Sequence, residues 1–243
     1  IIIGLLCFSM FSILAQVKAQ EWPKRLTTNP YGDTDPSWHP DGTKIVYGAG
    51  ADAWNRHIWV MNSDGSGKTQ LTFGNVVDDA PDYSCDGSKI AFMRYGFRGD
   101  VFDIMVMNSD GTNIQRITLD DIPGYPHGGY GAPEWSRDSS KILFHYNYPS
   151  TGTFDIFVMN ADGSNIQRLG PGSHPHWAFD DTKIIFDMWY NPPNKGIYIM
   201  KSDGTNVNQI TDGTYDGAPD LSSSGRVVFG RFVDSKGQLF IVN

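Results

Sequence analysis

The chain alternates between short apolar runs and clusters of glycine, aspartate and asparagine. Residues 44–47, 58–62 and 89–92 are examples of such runs, rich in β-branched, aromatic and methionine side chains and bounded by turn-forming residues. Runs of this length, with no helical periodicity between them, are typical of β-strands. The pattern therefore predicts an all-β protein.

The same pattern recurs five times, at intervals of about 45 residues. Each copy starts with a proline, has an aromatic or apolar residue two positions later, and continues into a polar turn. These starting segments are residues 36–42, 81–87, 133–139, 175–181 and 219–225. A second apolar run comes later in each copy, at 58–62, 104–108, 156–160, 197–201 and 239–243. Agreement at so many positions establishes an internal repeat.

Each repeat is predicted to form a four-stranded antiparallel sheet. Asp-Gly pairs such as Asp64-Gly65 supply the positive φ of a tight hairpin turn. One such sheet cannot bury both faces, so neighbouring repeats must stack, as the blades of a β-propeller do. The predicted blades are residues 34–72, 79–118, 131–169, 173–211 and 216–243. Trp38, Trp135 and Trp177 share one repeat position and are expected between blades.

The two ends of the repeat array have complementary phase. Residues 24–27 match the last strand of a repeat, whereas the fifth repeat stops after its third strand. We expect 24–27 to complete the blade of 216–243 and to close a five-bladed ring, which removes two exposed strand edges. The alternative is a truncated chain whose natural form has six or seven blades.

The segment before the repeats predicts export. Residues 1–15 are almost continuously apolar and Val17, Lys18 and Ala19 resemble a signal-peptidase site, so residues 1–19 are interpreted as a signal peptide and 20–243 as the propeller. The apolar run is too short for a membrane span. A periplasmic or secreted bacterial protein is expected. A net charge of −8 without a basic run argues against nucleic-acid partners, and we expect a monomer.

The motif series Pro-x-Trp-Ser-x-Asp-Gly, Lys-Ile-x-Phe and Ile-x-Val-Met-Asn-x-Asp-Gly resembles the WD40-like repeats of the TolB-like β-propellers. The resemblance covers residues 24–243. That family includes periplasmic TolB, enzymes similar to oligogalacturonate lyase, and the propellers that precede some serine peptidases. TolB itself carries an α/β domain between its signal peptide and its propeller. The resemblance is therefore to the family and not to TolB itself.

The connections on one face of the predicted propeller are long, individual and aromatic. Rigid scaffolds commonly carry binding residues on such loops, so we expect this long-loop face to bind a protein or an oligosaccharide. The candidate binding residues are Trp54, Arg56, Arg98, His127, Tyr148, Trp189 and Tyr190. The alternative is that these aromatic side chains cap the ends of the blade sheets.

A second candidate site lies on the innermost strands, at the position that follows each proline. Asp82, Glu134, His176 and Asp220 occupy this position in four repeats and should converge near the propeller axis. Carboxylates with an imidazole suit a divalent cation such as Ca²⁺ or Mn²⁺. The alternative is a solvated acidic channel whose side chains bond to neighbouring backbone. No other cofactor is indicated.

Three functions remain open from the sequence. The first is an exported, non-catalytic propeller that binds a protein or glycan. The second is a carbohydrate-active enzyme such as a uronate lyase, with Arg98, His127 and His176 among its polar groups. The third is a propeller fragment of a larger protein such as a peptidase. The sequence has no Gly-x-Ser-x-Gly nucleophile elbow and no His-Glu-x-x-His motif.

Overall fold

The computed structural model of the chain describes residues 24–52, 54–96, 101–118, 122, 128–188, 195–213, 216–222, 224–233 and 236–242. These residues form antiparallel strands and turns, with no helix among them. The strands belong to five sheets that follow one another along the chain. The prediction of an all-β propeller with five blades is confirmed. The predicted signal peptide lies outside the described residues.

The sheets keep the order of the sequence, with each strand beside the next. Blade 1 contains β1 (Asp33–Trp38), β2 (Lys44–Asp52), β3 (Asn55–Asn62) and β4 (Thr69–Gln70). Blade 2 contains β5 (Val77–Tyr83), β6 (Lys89–Tyr95), β7 (Phe102–Asn108) and β8 (Gln115–Arg116). Blade 3 contains β9 (Gly129–Trp135), β10 (Lys141–Tyr148), β11 (Thr153–Asn160) and β12 (Gln167–Pro171). Blade 4 contains β13 (Ser173–Trp177), β14 (Lys183–Asp187), β15 (Ile197–Lys201) and β16 (Asn208–Gln209). Blade 5 contains β17 (Asp216–Leu221), β18 (Val227–Val233) and β19 (Lys236–Val242).

The Asp-Gly turns between the third and fourth strands are stabilised by hydrogen bonds to their own aspartates, and they also contact the neighbouring blade. In the second blade, Asp110 Oδ1 accepts the backbone N–H of Thr112 at 2.9 Å, and Gly111 has a φ of 87°. A Cβ on Gly111 would lie 3.2 Å from the carbonyl oxygen of Leu71 in blade 1. Glycine is therefore required both by the positive φ and by the close approach of the preceding blade.

The core consists of the interfaces between successive blades. We call the surface that a blade turns towards the next blade its outgoing face, and the surface towards the previous blade its incoming face. Between blades 3 and 4, Leu143 and Ile156 on the outgoing face pack with Trp177, Ile184 and Phe186 on the incoming face. The predicted position of Trp135 and Trp177 between blades is confirmed, since they are only 5% and 9% exposed.

Trp38 occupies the same repeat position but is not buried between blades, since 58% of it is exposed. Its burial requires a preceding blade, and the strands of blade 5 make no contact with those of blade 1 among the described residues. The repeat position alone therefore gave the wrong burial for Trp38.

The predicted pairing of 24–27 with the last blade is also not formed among the described residues. Strand β19 pairs with β18 alone, and residues 24–27 are assigned to no strand. Leu26 instead packs against the incoming face of blade 1, and Lys24 Nζ donates to the Asp64 carbonyl at 2.8 Å. The segment thus contacts the first blade in the way that Leu169 contacts the fourth.

Candidate functional site

The first strand of each blade carries a bulge at its proline. The residue before the proline has a φ between 45° and 49° in all five blades: Asp35, Ala80, Ala132, His174 and Ala218. The pairing register with the second strand shifts at the same place. Such a bulge redirects side chains, and in blades 1 to 4 the residues on both sides of the proline line a central channel. In blade 5 Ala218 lines this channel, but the predicted Asp220 is exposed and does not. The channel cavity measures about 380 Å³.

Inside this channel, the predicted carboxylates link neighbouring blades. Asp82 accepts the hydroxyl of Ser37 from blade 1 at 2.8 Å and the backbone N–H of Trp135 from blade 3 at 2.9 Å. Glu134 accepts the backbone N–H of Trp177 at 3.0 Å, and its carboxylate lies 3.5 Å from His176 Nδ1. Each carboxylate thus satisfies a backbone donor at the start of the next blade.

Both Asp82 and His176 have raised pKa values in the channel. Burial, followed by the nearby charge of Glu134, raises the pKa of Asp82 to about 7. Burial disfavours the charged form of His176, but the hydrogen bond and charge of Glu134, together with Asp220 and Asp82, outweigh it and raise the pKa of His176. These charges therefore favour a protonated, cationic His176 beside Glu134.

The side chains of the channel are already engaged with one another and with the backbone. An imidazole must be neutral to bind a metal, whereas its neighbours favour the protonated form of His176. Among the described residues, no three His, Cys, Asp or Glu side chains lie close enough to hold an ion together. The hydrogen bonds support the alternative role of these side chains, which is to join blades. Binding of Ca²⁺ or Mn²⁺ stays a prediction.

Thermal unfolding with Ca²⁺, Mn²⁺ and a chelator tests the cation directly. We expect no change of melting temperature in the wild type or in His176→Ala, because the carboxylates already accept backbone donors. A cation at a hundredfold excess over its dissociation constant would add about 2.7 kcal/mol to the unfolding free energy. A shift of that size, absent in His176→Ala, would establish the metal site and contradict our expectation.

Asp82 should also make stability depend on pH. Its folded pKa of about 7 lies above the ordinary value of 3.8, so its contribution is complete below pH 3.8 and is lost as the pH rises through 7. Asp82→Asn stays neutral, and its Oδ1 can still accept the Trp135 N–H. From pH 5 to pH 8, we expect the free energy of unfolding of Asp82→Asn to rise by about 1–2 kcal/mol relative to that of the wild type, as measured by urea denaturation.

Asp41→Asn is the matched control for this measurement. The hydrogen bonds from Thr43 lower the pKa of Asp41 to about 2, so its charge is constant over this pH range. An equal gain in both variants would mean that Asp82 is not the titrating group.

A second polar cluster surrounds the channel mouth on the long-loop face. His174 Nδ1 is hydrogen-bonded to Asp187 at 2.8 Å, and Asp187, which is fully buried, also accepts the backbone N–H of Ala218 at 3.1 Å. The His145 ring meets the His174 ring edge-on at 5.5 Å. Burial and the adjacent His174 lower the pKa of His145 to about 3. His145 is therefore neutral at physiological pH.

On the blade 1 side of this mouth, Arg56 is held by its neighbours. Its Nη1 donates to Asp79 at 2.5 Å and to the Thr34 hydroxyl at 3.1 Å, and that hydroxyl donates to Asp79 at 2.9 Å. Asp35 lies close by, and burial followed by the charge of Asp79 raises its pKa. Arg56, predicted as a binding residue, thus links blades 1 and 2 and is mostly buried.

The aromatic candidates on the long-loop face divide into two kinds. Trp54 is 74% exposed, and its ring rests on Tyr95 at 5.9 Å between centroids; Tyr95 in turn meets Phe102 at 5.2 Å. Tyr148 packs edge-on against Tyr146 at 5.3 Å and donates its hydroxyl to Asp155 at 2.9 Å. Trp54 is thus available to a partner, whereas Tyr148 closes the end of its own sheet. The candidates Arg98, His127, Trp189 and Tyr190 lie outside the described residues.

The sequence analysis did not select Asp35, His145, His174 or Asp187. A signal for two of them exists in the repeat alignment, where the position before the proline is alanine in three blades but Asp35 and His174 in the others. No repeat pattern marks His145 or Asp187. Asp187 meets His174 within blade 4, where it pairs with Ser173, whereas His145 meets His174 across the contact of blades 3 and 4.

Comparison with known proteins agrees with this architecture. The model of the TolB β-propeller domain matches residues 80–243, which is more than half of the chain. The chain belongs to this family. Among the described residues of this TolB-like propeller, no helix is long and apolar enough to cross a membrane.

Several proteins are similar to this TolB-like propeller over part of their length. The uncharacterized protein Atu1656 of Agrobacterium fabrum is 28% identical over 168 residues, which are 63% of this chain and 54% of the relative. The uncharacterized peptidase YuxL of Bacillus subtilis is 30% identical over 115 residues, 45% of this chain and 16% of the relative. The crystal structure of TolB from Acinetobacter baumannii superposes with a TM-score of 0.74 at 21% identity, covering 91% of this chain and 54% of that one. The chain spans about half the length of Atu1656 and of this TolB.

Proposed function

We propose that the chain is an exported, non-catalytic β-propeller that binds a protein or glycan partner on its long-loop face. The exposure of Trp54 carries this proposal. A tryptophan that is 74% exposed leaves a large apolar surface in water, and tryptophan is among the residue types that contribute most to binding interfaces. Its ring is also the kind of flat surface on which a sugar ring stacks.

Trp54 is held in place before any partner arrives. Its backbone N–H donates to Asp52 Oδ1 at 2.7 Å, and its ring rests on Tyr95 across the boundary between blades 1 and 2. A side chain that is already fixed loses little conformational entropy on binding. Trp54, Tyr95 and Phe102 therefore form a preorganised aromatic platform.

The two enzymatic hypotheses receive less support from the described residues. For a uronate lyase, His176 is engaged with Glu134 and its raised pKa favours the protonated form, which cannot accept a proton from a substrate. Arg98 and His127 lie outside the described residues. For a peptidase, the similarity to YuxL covers 16% of that protein. Both stay hypotheses.

The proposal of export rests on the sequence, because residues 1–15 are apolar and small residues precede position 20. We propose a periplasmic or secreted location on this basis. Protein recovered from the periplasm or the medium should begin at residue 20 when its N-terminus is sequenced. An uncleaved N-terminus would contradict the proposal.

A binding screen tests the proposed function. The purified chain is applied to arrays of defined oligosaccharides, including oligogalacturonates, and of peptides, beside Trp54→Ala and Phe179→Ala. Phe179 is the matched control, since it is 58% exposed in the turn between β13 and β14 on the opposite face. We expect Trp54→Ala to weaken binding at least tenfold, as for an interface hot spot, while Phe179→Ala binds like the wild type. Equal signals from the wild type and Trp54→Ala, or an unsaturated product from oligogalacturonate, would contradict the proposal.

A further inference from the structure

The long-loop end of blades 1 and 2 exposes a second large aromatic side chain besides Trp54. Phe73 is 67% exposed and lies in the connection from β4 to β5, which joins blade 1 to blade 2. In an antiparallel sheet with strands in chain order, this connection leaves at the same end as the turn from β2 to β3, where Trp54 lies. The connections of one pair of blades therefore present two aromatic rings to solvent.

The described arginines of blades 1 and 2 are each engaged by an aspartate. The three pairs, with N–O distances of 2.5, 2.6 and 3.2 Å, are Arg56 with Asp79, Arg94 with Asp78, and Arg116 with Asp103. The side chains of these arginines are 17%, 13% and 21% exposed. Each arginine therefore neutralises its own partner and presents little positive charge to solvent.

Three aspartates of blade 1 at the same end form no ion pair among the described residues: Asp33, Asp35 and Asp52. Asp33 begins β1 and Asp52 ends β2, so both lie at the long-loop end of the sheet. Burial, followed by the charge of Asp79, raises the pKa of Asp35, as expected where negative charges lie close together. This end of blade 1 therefore combines exposed aromatic surface with an excess of negative charge.

Asp52 and Trp54 lie in one turn, and the turn holds both of them in place. Asp52 pairs with Asn55 across the hairpin, and its Oδ1 accepts the backbone N–H of Trp54 at 2.7 Å. The Trp54 ring contacts Tyr95 at an angle of 52° and is otherwise open to solvent. A guanidinium group stacks on aromatic faces and donates hydrogen bonds to carboxylates. An exposed indole beside a fixed carboxylate is complementary to that group.

We propose that the partner of the long-loop face is a protein segment with exposed arginines, one of which stacks on Trp54 and donates to Asp52. This inference rests on the proposed function and narrows the partner from a protein or glycan to an arginine-containing protein segment. Lysine carries the same charge but lacks the planar group that stacks on a ring and binds a carboxylate through two donors. The site should therefore prefer arginine to lysine.

Fluorescence anisotropy with matched peptides tests the proposal. The probes are labelled peptides of glycine and serine with regularly spaced arginines, and peptides with lysine or citrulline at the same positions. We expect the arginine peptide to bind the wild type at low ionic strength and to bind more weakly as salt is added. The lysine peptide should bind more weakly than the arginine peptide, and the citrulline peptide, which is planar but uncharged, at least about tenfold more weakly.

Three variants locate the binding of the arginine peptide. Trp54→Ala should weaken it at least about tenfold, as for an interface hot spot. Asp52→Asn should weaken it about threefold, because the asparagine Oδ1 still accepts the Trp54 N–H while the charge is lost. Asp41→Asn removes the same charge from the turn between β1 and β2 on the opposite face and should bind like the wild type. Circular dichroism verifies that each variant folds.

The outcomes separate this inference from the proposed function. Equal binding of the arginine and lysine peptides, unchanged in Trp54→Ala, would indicate attraction by net charge alone and overturn the inference. A neutral oligosaccharide that binds through Trp54, while the arginine peptide does not bind, would overturn the inference and leave the proposed function intact. If Trp54→Ala weakens the binding of no ligand, both the inference and the proposed function are wrong.

Discussion

Trp135→Ala should lower the free energy of unfolding by about 3–5 kcal/mol, as expected for the loss of a large aromatic side chain from a packed core. Trp135 is 5% exposed and belongs to a cluster with Ala91 and Ile104 of blade 2 and Phe144 of its own blade. Its removal would leave a cavity between two rigid sheets that cannot collapse independently. Urea denaturation at low protein concentration measures the loss.

Trp38→Ala is the matched control for Trp135→Ala, because both residues occupy the same position of the repeat. Trp38 is 58% exposed, so its replacement in a single chain should cost less than about 1 kcal/mol. The difference between the two variants measures what burial against a preceding blade contributes. Equal losses would mean that blade 1 is covered in solution, against the structure of the single chain.

Asp78→Ala should have an effect of similar size for an electrostatic reason. Asp78 is fully buried and accepts Arg94 Nε at 2.6 Å and Nη2 at 2.9 Å. The guanidinium of Arg94 is itself mostly buried, so removal of the carboxylate leaves a charge without its partner. Loss of one member of a buried ion pair costs about 3–5 kcal/mol, and we expect this loss in urea denaturation.

The double variant Asp78→Leu with Arg94→Leu separates the cost of an unpaired charge from the value of the pair. Replacement of both members of a buried pair by apolar residues is often close to neutral, so the double variant should recover most of the stability that Asp78→Ala loses. A double variant as unstable as the single one would show that the pair stabilises the fold by itself.

The sequence predicts most of the fold because the determinants are local and repeated. Apolar runs and the spacing of prolines recur in each blade, Asp-Gly turns recur in the first four, and together they place the strands. Burial between blades is not local, which is why the sequence misplaced Trp38: its environment depends on whether another blade precedes it. The sequence misplaced residues 24–27 for the same reason, because blade 1 alone provides the apolar contacts of Leu26.

The channel shows a different limit of the sequence. The repeat pattern predicts that Asp82, Glu134, His176 and Asp220 converge; the first three line one cavity, whereas Asp220 is exposed and does not line it. The residue types could not show which oxygen atoms already accept hydrogen bonds. The backbone N–H groups of Trp135 and Trp177 occupy one oxygen of Asp82 and one of Glu134. An acidic position that is periodic in a repeat protein can therefore serve to join repeats without binding any ion.

The long-loop face shows why aromatic content alone was ambiguous. Trp54 follows the second strand of blade 1 and Tyr148 ends the second strand of blade 3, yet Trp54 is exposed and Tyr148 donates to Asp155 within its own sheet. The difference depends on whether a polar partner lies within reach of the ring, and only the folded structure reveals that. The capping interpretation therefore fits Tyr148, whereas binding through Trp54 stays a prediction.

The central claim is that a partner binds the aromatic platform on the long-loop face and not the acidic channel. Isothermal titration with a ligand identified on the arrays tests it, using Trp54→Ala and Glu134→Gln in parallel. If the partner binds the aromatic platform, Trp54→Ala should bind with at least tenfold weaker affinity, and Glu134→Gln should bind with wild-type affinity. Wild-type affinity in Trp54→Ala together with a large loss in Glu134→Gln would place the ligand in the channel and contradict the account.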